Sequence, residues 1–195
     1  MTDLTNIGIE CSEDWVPFPV TDTLDLDYWA EQQGHELVAR YERDGERGDA
    51  RRLSRDLKRA ASDSRTREPL AAFGWYLSGH PTVAAILELD AVLPDDTVPV
   101  ITLPWLTEHL SASDFGEPDV RDVRLPLGEA VRIRQNLIGG KKRLLGPRPV
   151  IRTLIHGIRP TGADGALTMY VSWTEPVLDE TLEQIVDGMA QTLSL

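Results

Sequence analysis

The chain has 195 residues, of which 41% are hydrophobic and 27% charged, and a formal net charge of -12 at pH 7. This length predicts a single domain over 1–195, and the absence of an apolar run of roughly 18 residues argues against a membrane-spanning helix. Cys11 is the only cysteine, which excludes an intramolecular disulfide and a cysteine-based zinc site. The N-terminus lacks the cationic start and apolar stretch of a secretory signal, so we expect a cytoplasmic protein.

The first half of the chain predicts an extended segment followed by two helices. Prolines in WVPFPV (15–20) fix φ and favour an edge strand or an extended lead-in. Apolar residues at helical spacing predict a helix over 26–43. Asp49 is placed to cap a second helix over 49–62, whose apolar stripe is flanked by arginines and a lysine.

The middle of the chain has a different pattern. Two apolar runs, 71–78 and 82–92, are separated by turn residues and predict a β-hairpin, although the alanines of the second run leave a helix open. A short helix is predicted over 104–112, because Pro104 is well placed in a first helical turn.

The last third predicts a three-stranded antiparallel meander and a closing helix. Apolar and polar side chains alternate over 131–137, and two further apolar runs follow at 149–159 and 166–173. A helical apolar stripe then extends from Leu178 to Leu193. The sequence therefore predicts an α+β fold, an antiparallel sheet packed by N-terminal helices and a C-terminal amphipathic helix in an α/β/α-like sandwich.

Two short motifs resemble a known family. They are the lead-in DWVPFP, from Asp14 to Pro19, and the strand-to-helix junction SWTEPVL, from Ser172 to Leu178. Together with the order of elements, they make the chain similar to the PsbP-like superfamily, which includes small proteins of the LpqN type and Eag-type chaperones that hold secreted effectors. The resemblance implies a PsbP-like α+β domain and a non-enzymatic interaction module.

Charge is strongly segregated along the chain. Residues 1–39 and 68–120 each carry nine carboxylates and no lysine or arginine. The cations are concentrated in 40–67, with ten against six acids, and in 121–159, with ten against two. Because the remainder of the chain would repel phosphates, we expect an acidic protein surface or self-association, and neither free nucleic acid nor a membrane as partner.

Three consecutive cations stand out in the first connection of the predicted meander, in the stretch LIGGKKRLLGPRP (137–149). They fail as a Walker loop, because Gln135 stands where the first glycine belongs and Lys142 replaces the serine or threonine. A solvated turn, a protein-docking patch and an anion site remain open. For a docking surface the sequence offers six cations and two tryptophans beside prolines: Arg132, Arg134, Lys141, Lys142, Arg143, Arg148, Trp15 and Trp105.

The pattern of reactive residues predicts no catalytic, metal or cofactor site. Acidic neighbours should raise the pKa of Cys11, and the four histidines show no metal-binding spacing. We expect His156 to be a partly buried structural residue and the pair Asp95-Asp96 to stay hydrated in a loop.

These observations favour a non-enzymatic protein-binding module: an adaptor, chaperone or assembly subunit, with a link to a secretion system as one option. Two alternatives stay open. One is a small-ligand or lipid carrier with a pocket between the sheet and the C-terminal helix, since five tryptophans are available to line it. The other is an unrecognised hydrolase that uses His156 or the pair Asp95-Asp96.

Overall fold

A computed structural model of the chain describes residues 3–21, 23–139 and 148–195. It contains four helices and seven strands in one sheet, and so confirms the α+β class. The helices are α1 (Leu26–Arg43), α2 (Ala50–Arg65), α3 (Leu103–Leu110) and α4 (Asp179–Ala190). The strands are β1 (Trp15–Phe18), β2 (Ala71–Trp75), β3 (Ala85–Val92), β4 (Asp119–Leu125), β5 (Gly128–Ile138), β6 (Val150–Pro160) and β7 (Ala166–Trp173). Their order in the sheet is β1-β2-β3-β7-β6-β5-β4.

The chain divides into two compact units. One is Cys11–Glu88, and the other combines Met1–Glu10 with Leu89–Leu195. The single domain expected from chain length stays a prediction. No helix among the described residues is long and apolar enough to cross a bilayer.

In the unit Cys11–Glu88, α1 and α2 form a helical hairpin that packs on β1 and β2. The first predicted helix is confirmed at its predicted bounds, while the second begins one residue later and ends three later than expected. The carboxylate of Asp49 accepts a hydrogen bond from the backbone N–H of Arg52, which is the predicted cap. Apolar residues of both helices and both strands share one core: Leu37, Tyr41, Leu53, Leu57, Val16, Phe18 and Ala72.

The predicted hairpin in the middle of the chain is confirmed as β2 and β3, which are neighbours in the sheet. The second apolar run is therefore a strand, not a helix. β1 pairs antiparallel with β2 at the sheet edge, as the prolines indicated.

In the other unit, β5, β6 and β7 form the predicted antiparallel meander. The sequence did not predict β4, which pairs antiparallel with β5 from Asp119 opposite Arg134 to Leu125 opposite Gly128. Its sequence, DVRDVRL, repeats every three residues and leaves five of seven side chains exposed, so no apolar face signals a strand.

Two helices cover opposite faces of this meander. Side chains alternate along β5, so Val131 and Ile133 pack in one core with Leu106 of α3, while Arg132 and Arg134 face α4. This alternation places the arginines of β5 beside α4, on the same face of the sheet as the buried apolar residues Leu154 and Val171.

Candidate protein-binding surface

Carboxylates of α4 meet the cations of the sheet in a row of ion pairs, here called the α4 ladder. The acidic side, Asp179, Glu183 and Asp187, repeats every four residues and so lies along one face of the helix. The basic side is formed by three arginines and a histidine of β5 and β6: Arg132, Arg134, Arg152 and His156.

The two arginines of β5 each bridge successive carboxylates. Arg132 places its Nε 2.8 Å from Oδ1 of Asp187 and its Nη2 2.9 Å from Oε2 of Glu183. Arg134 donates from Nε to Oε1 of Glu183 at 3.0 Å, and its guanidinium lies 4.8 Å from the ring centre of Trp173. Trp173 in turn donates from Nε1 to Oδ1 of Asp179 at 2.6 Å. These charged groups therefore satisfy one another within the chain.

His156 forms the inner end of the α4 ladder. Its ring is more fully buried than expected, at 2% exposure, and Nε2 lies 3.0 Å from Oδ1 of Asp187. Burial raises the pKa of Asp187, but hydrogen bonds from His156 and Arg132 outweigh it and leave that pKa below its ordinary value. In the part of the chain that the structure describes, the buried Nδ1 of His156 has no hydrogen-bond partner.

The structure separates the eight residues proposed for docking. Arg132 and Arg134 face inward, so the acidic surface they contact is α4 of the same chain. Arg148 is exposed just before β6, whereas Lys141, Lys142 and Arg143 lie outside the described residues. A docking role for that stretch stays a prediction.

The exposure expected for Trp15 is wrong. Its ring is 3% exposed and stacks on Trp75 at a centroid distance of 6.1 Å, because the strand pairing of β1 with β2 sets the two residues opposite each other. Trp105 is half-buried and stacks on His109 at 4.5 Å. Trp75 and Trp173 are also buried.

Part of the block of cations at 40–67 lies on α2, and three of these arginines are arranged differently from those of β5. Leu53 and Leu57 are fully buried beneath the helix, whereas Arg51, Arg52 and Arg55 are exposed and form no ion pair among the described residues. Two further exposed cations are paired, Lys58 with Asp27 at 2.5 Å and Arg59 with the buried Asp56. We call Arg51, Arg52 and Arg55 the α2 basic face.

A groove of about 780 Å³ lies between α1 and α2, beside the α2 basic face. One wall carries Arg51 and Arg55; the other carries Asp27, Glu31 and His35, spaced four residues apart along α1. Its floor contains Ala50 and Ser54, where the helices approach closely because α1 has Gly34 opposite them. The groove therefore has one basic wall and one largely acidic wall.

The other reactive residues have structural surroundings. Burial raises the pKa of Cys11 to about 11, which is the predicted direction with a different cause. Asp95 accepts hydrogen bonds from the hydroxyl of Thr97 and from the backbone N–H groups of Val98 and Thr97, which lower its pKa and show that it closes a turn. Within the described ranges, no group of three potential metal ligands occurs.

Comparison with known proteins identifies no relative: no protein-family model, curated protein or solved structure matches the chain. The similarity to the PsbP-like superfamily rests on the two sequence motifs and stays a prediction. A proposal for the function of the chain therefore rests on its own contacts and charges.

Proposed function

We propose that the chain is a non-enzymatic protein-binding module of the cytoplasm, an adaptor, chaperone or assembly subunit, which binds an acidic protein segment on the α2 basic face. The observation that carries this proposal is the contrast between two groups of arginines. Arg132 and Arg134 are already neutralised by carboxylates of α4, whereas the arginines of the α2 basic face are exposed and form no ion pair with any residue that the structure describes.

The negative charge of the rest of the molecule favours binding of an acidic partner at the α2 basic face over binding elsewhere. With a net charge of -12, the chain repels an acidic partner over most of its surface and attracts it where arginines cluster. Such complementarity sets orientation and the rate of encounter more than affinity, and salt weakens it over a screening length of about 8 Å. Binding should therefore be local and salt-sensitive.

The groove beside the α2 basic face should also orient a bound segment, because its two walls differ in charge. A bound segment that places carboxylates against Arg51 and Arg55 meets Glu31 on the opposite wall. A basic residue on the far side of that segment would complement Glu31, while a uniformly acidic one would be repelled there. A segment with acidic and basic sides therefore fits the groove better than a uniformly acidic one.

The resemblance to PsbP-like proteins supports the same class of function. Eag-type chaperones of that superfamily hold secreted effectors, which is a non-enzymatic binding role. This support is associational, because a shared fold does not determine what is bound.

The experiment measures binding of a defined acidic probe by fluorescence anisotropy. A glutamate-rich peptide of about 20 residues is titrated with the wild-type chain and with an Arg51→Glu/Arg55→Glu variant. An Arg148→Glu/Arg159→Glu variant matches the change in charge at a distant place in the sequence. Each titration is repeated with single-stranded DNA of equal charge and at two salt concentrations.

We expect the α2 variant to lose at least about tenfold in peptide affinity, and the matched variant to lose less than about threefold. Equal losses in both variants would assign the effect to net charge and overturn the proposed surface. Tighter binding of DNA than of peptide would indicate that the α2 basic face recognises nucleic acid, and would overturn the proposal of an acidic protein partner. Absence of peptide binding at low salt would also contradict the proposal.

A further inference from the structure

β4 is an edge strand: within the described ranges, no other strand pairs with its outer side. It ends the strand order with seven residues and contains neither proline nor glycine. The opposite edge, β1, has four residues and contains Pro17, which has no N–H to donate. Of the two sheet edges, β4 is thus the one whose backbone is free to extend the sheet.

The exposed charges of β4 are of two kinds. Asp119 and Arg121 pair with each other, with Arg121 Nη2 2.6 Å from Asp119 Oδ2. Asp122 and Arg124 lie two residues apart, on the same face of the strand, and are both exposed. Neither forms an ion pair among the described residues, although Glu129 of β5 is the strand partner of Arg124. One acid and one base thus remain unpaired around Val123.

We propose that a second copy of the chain pairs antiparallel with this edge, with the two-fold axis at Val123. A two-fold axis perpendicular to the sheet places each residue opposite a residue of the second copy whose side chain lies on the same face of the sheet. Val123 then lies opposite Val123 of the second copy. Asp122 then lies opposite Arg124 of the second copy, and Arg124 opposite Asp122 of the second copy. Both unpaired charges gain an opposite partner, and two valines meet at the centre.

Charge distinguishes this register from its neighbours. An axis at Asp122 or at Arg121 sets that residue opposite its own copy, which brings like charges together. An axis at Val120 uses Asp119 and Arg121, which already pair within one chain. An uncharged strand from another protein would leave Asp122 and Arg124 unpaired, so charge complementarity favours a second copy. This inference does not depend on the α2 basic face.

The first test exchanges the two charges. Sedimentation equilibrium compares the wild-type chain with Asp122→Arg, with Arg124→Asp and with the double exchange. Each single change opposes like charges at two symmetry-related pairs, and we expect it to raise the dimer dissociation constant at least about tenfold. The double exchange restores both pairs and should return that constant to within about threefold of wild type.

Control variants with the same charge change, Glu117→Arg and Arg47→Asp, should leave the dissociation constant unchanged. Both residues are exposed and lie outside β4. A wild-type chain that stays monomeric up to millimolar concentration would overturn the proposal. A dimer that tolerates both single changes, or that the double exchange fails to restore, would overturn it as well.

The second test fixes the register by mild oxidation of introduced cysteines in a Cys11→Ser background. Opposed residues of antiparallel strands have Cα atoms about 4.5–5.5 Å apart, which suits a disulfide. Val123→Cys should therefore form a covalent dimer, whereas two copies of Val120→Cys would lie about 20 Å apart. Preferential cross-linking of the Val120→Cys chain would overturn the axis at Val123. Loss of dimerisation with unchanged peptide binding would leave the proposed function intact.

Discussion

The Nε2 atom of His156 lies 3.0 Å from Oδ1 of Asp187, which ties a buried residue of β6 to the C-terminal half of α4. Arg132 donates to the same carboxylate from the neighbouring strand. A helix held in this way depends on charge as well as on its apolar residues. The stability of the α4 ladder should therefore respond to pH and to single changes of charge.

Replacement of Asp187 by Asn should destabilise the chain in a pH-dependent way. His156 and Arg132 hold the pKa of Asp187 below its ordinary value, so its ionised form contributes stability that is present above the unfolded pKa of about 3.9. This stability is lost as the pH falls through the lower, folded pKa. Urea denaturation should show the largest difference between wild type and variant at pH 5–7, and a shrinking difference below about pH 4. A constant difference down to pH 3 would contradict the role of Asp187.

Removal of one arginine should cost more unfolding free energy at a buried ion pair than at an exposed one. Arg132→Met removes one partner from each of two carboxylates, which should cost about 2 kcal/mol of unfolding free energy. Glu183 keeps Arg134, Asp187 keeps His156, and both carboxylates still reach water, which limits the cost. Arg121→Met, at an exposed pair on β4, should cost less than about 0.5 kcal/mol. Denaturant titration of both variants measures the two values. Similar losses would show that the burial of Arg132 has no special effect.

The fold was largely predictable because its helices and central strands follow simple periods. α1 has an aspartate cap and an apolar face, and the alternation in β5 separates Val131 from Arg132. β4 escaped prediction because its charges fall on both faces of an exposed edge. Burial of Trp15 depends on its strand partner Trp75, a contact between residues distant in the sequence.

The candidate site was predictable in part. The sequence identifies both blocks of cations, but it does not show that carboxylates of α4 neutralise Arg132 and Arg134. The signal was present in the spacing of Asp179, Glu183 and Asp187, which marks one helix face as acidic. Matching that face to alternate arginines of a strand requires the tertiary arrangement.

Cys11 should react slowly with alkylating reagents in the folded chain. Burial raises its pKa to about 11 from an ordinary 9.0, so its thiolate fraction at pH 8 falls about 100-fold. Iodoacetamide labelling followed by mass spectrometry should show a rate at least that much lower than in the urea-unfolded chain. Equal rates in both states would show that the thiol is not held in a buried position.

Two glycine-to-alanine changes should act in opposite directions on stability. Alanine favours a helix over glycine by about 1 kcal/mol. At Gly34, however, an added Cβ overlaps Oγ of Ser54 and lies 2.9 Å from the carbonyl oxygen of Ala50, and that backbone atom moves only if α1 and α2 separate. At Gly188 of α4, an added Cβ has no atom of a described residue within 4 Å apart from its chain neighbours and the backbone of the helix itself.

We expect Gly34→Ala to lower the unfolding free energy by about 1–2 kcal/mol, because overpacking exceeds the gain in helix propensity. Gly188→Ala should raise it by up to about 1 kcal/mol. Adding Ser54→Ala to Gly34→Ala removes the overlap with Oγ of Ser54 and should recover part of the lost unfolding free energy. The recovery should be incomplete, because the clash with the carbonyl oxygen of Ala50 remains. Stabilisation by both single changes would show that the helices are not in close contact at Gly34. Since Ala50 and Ser54 also form the floor of the groove, Gly34→Ala should weaken peptide binding together with stability.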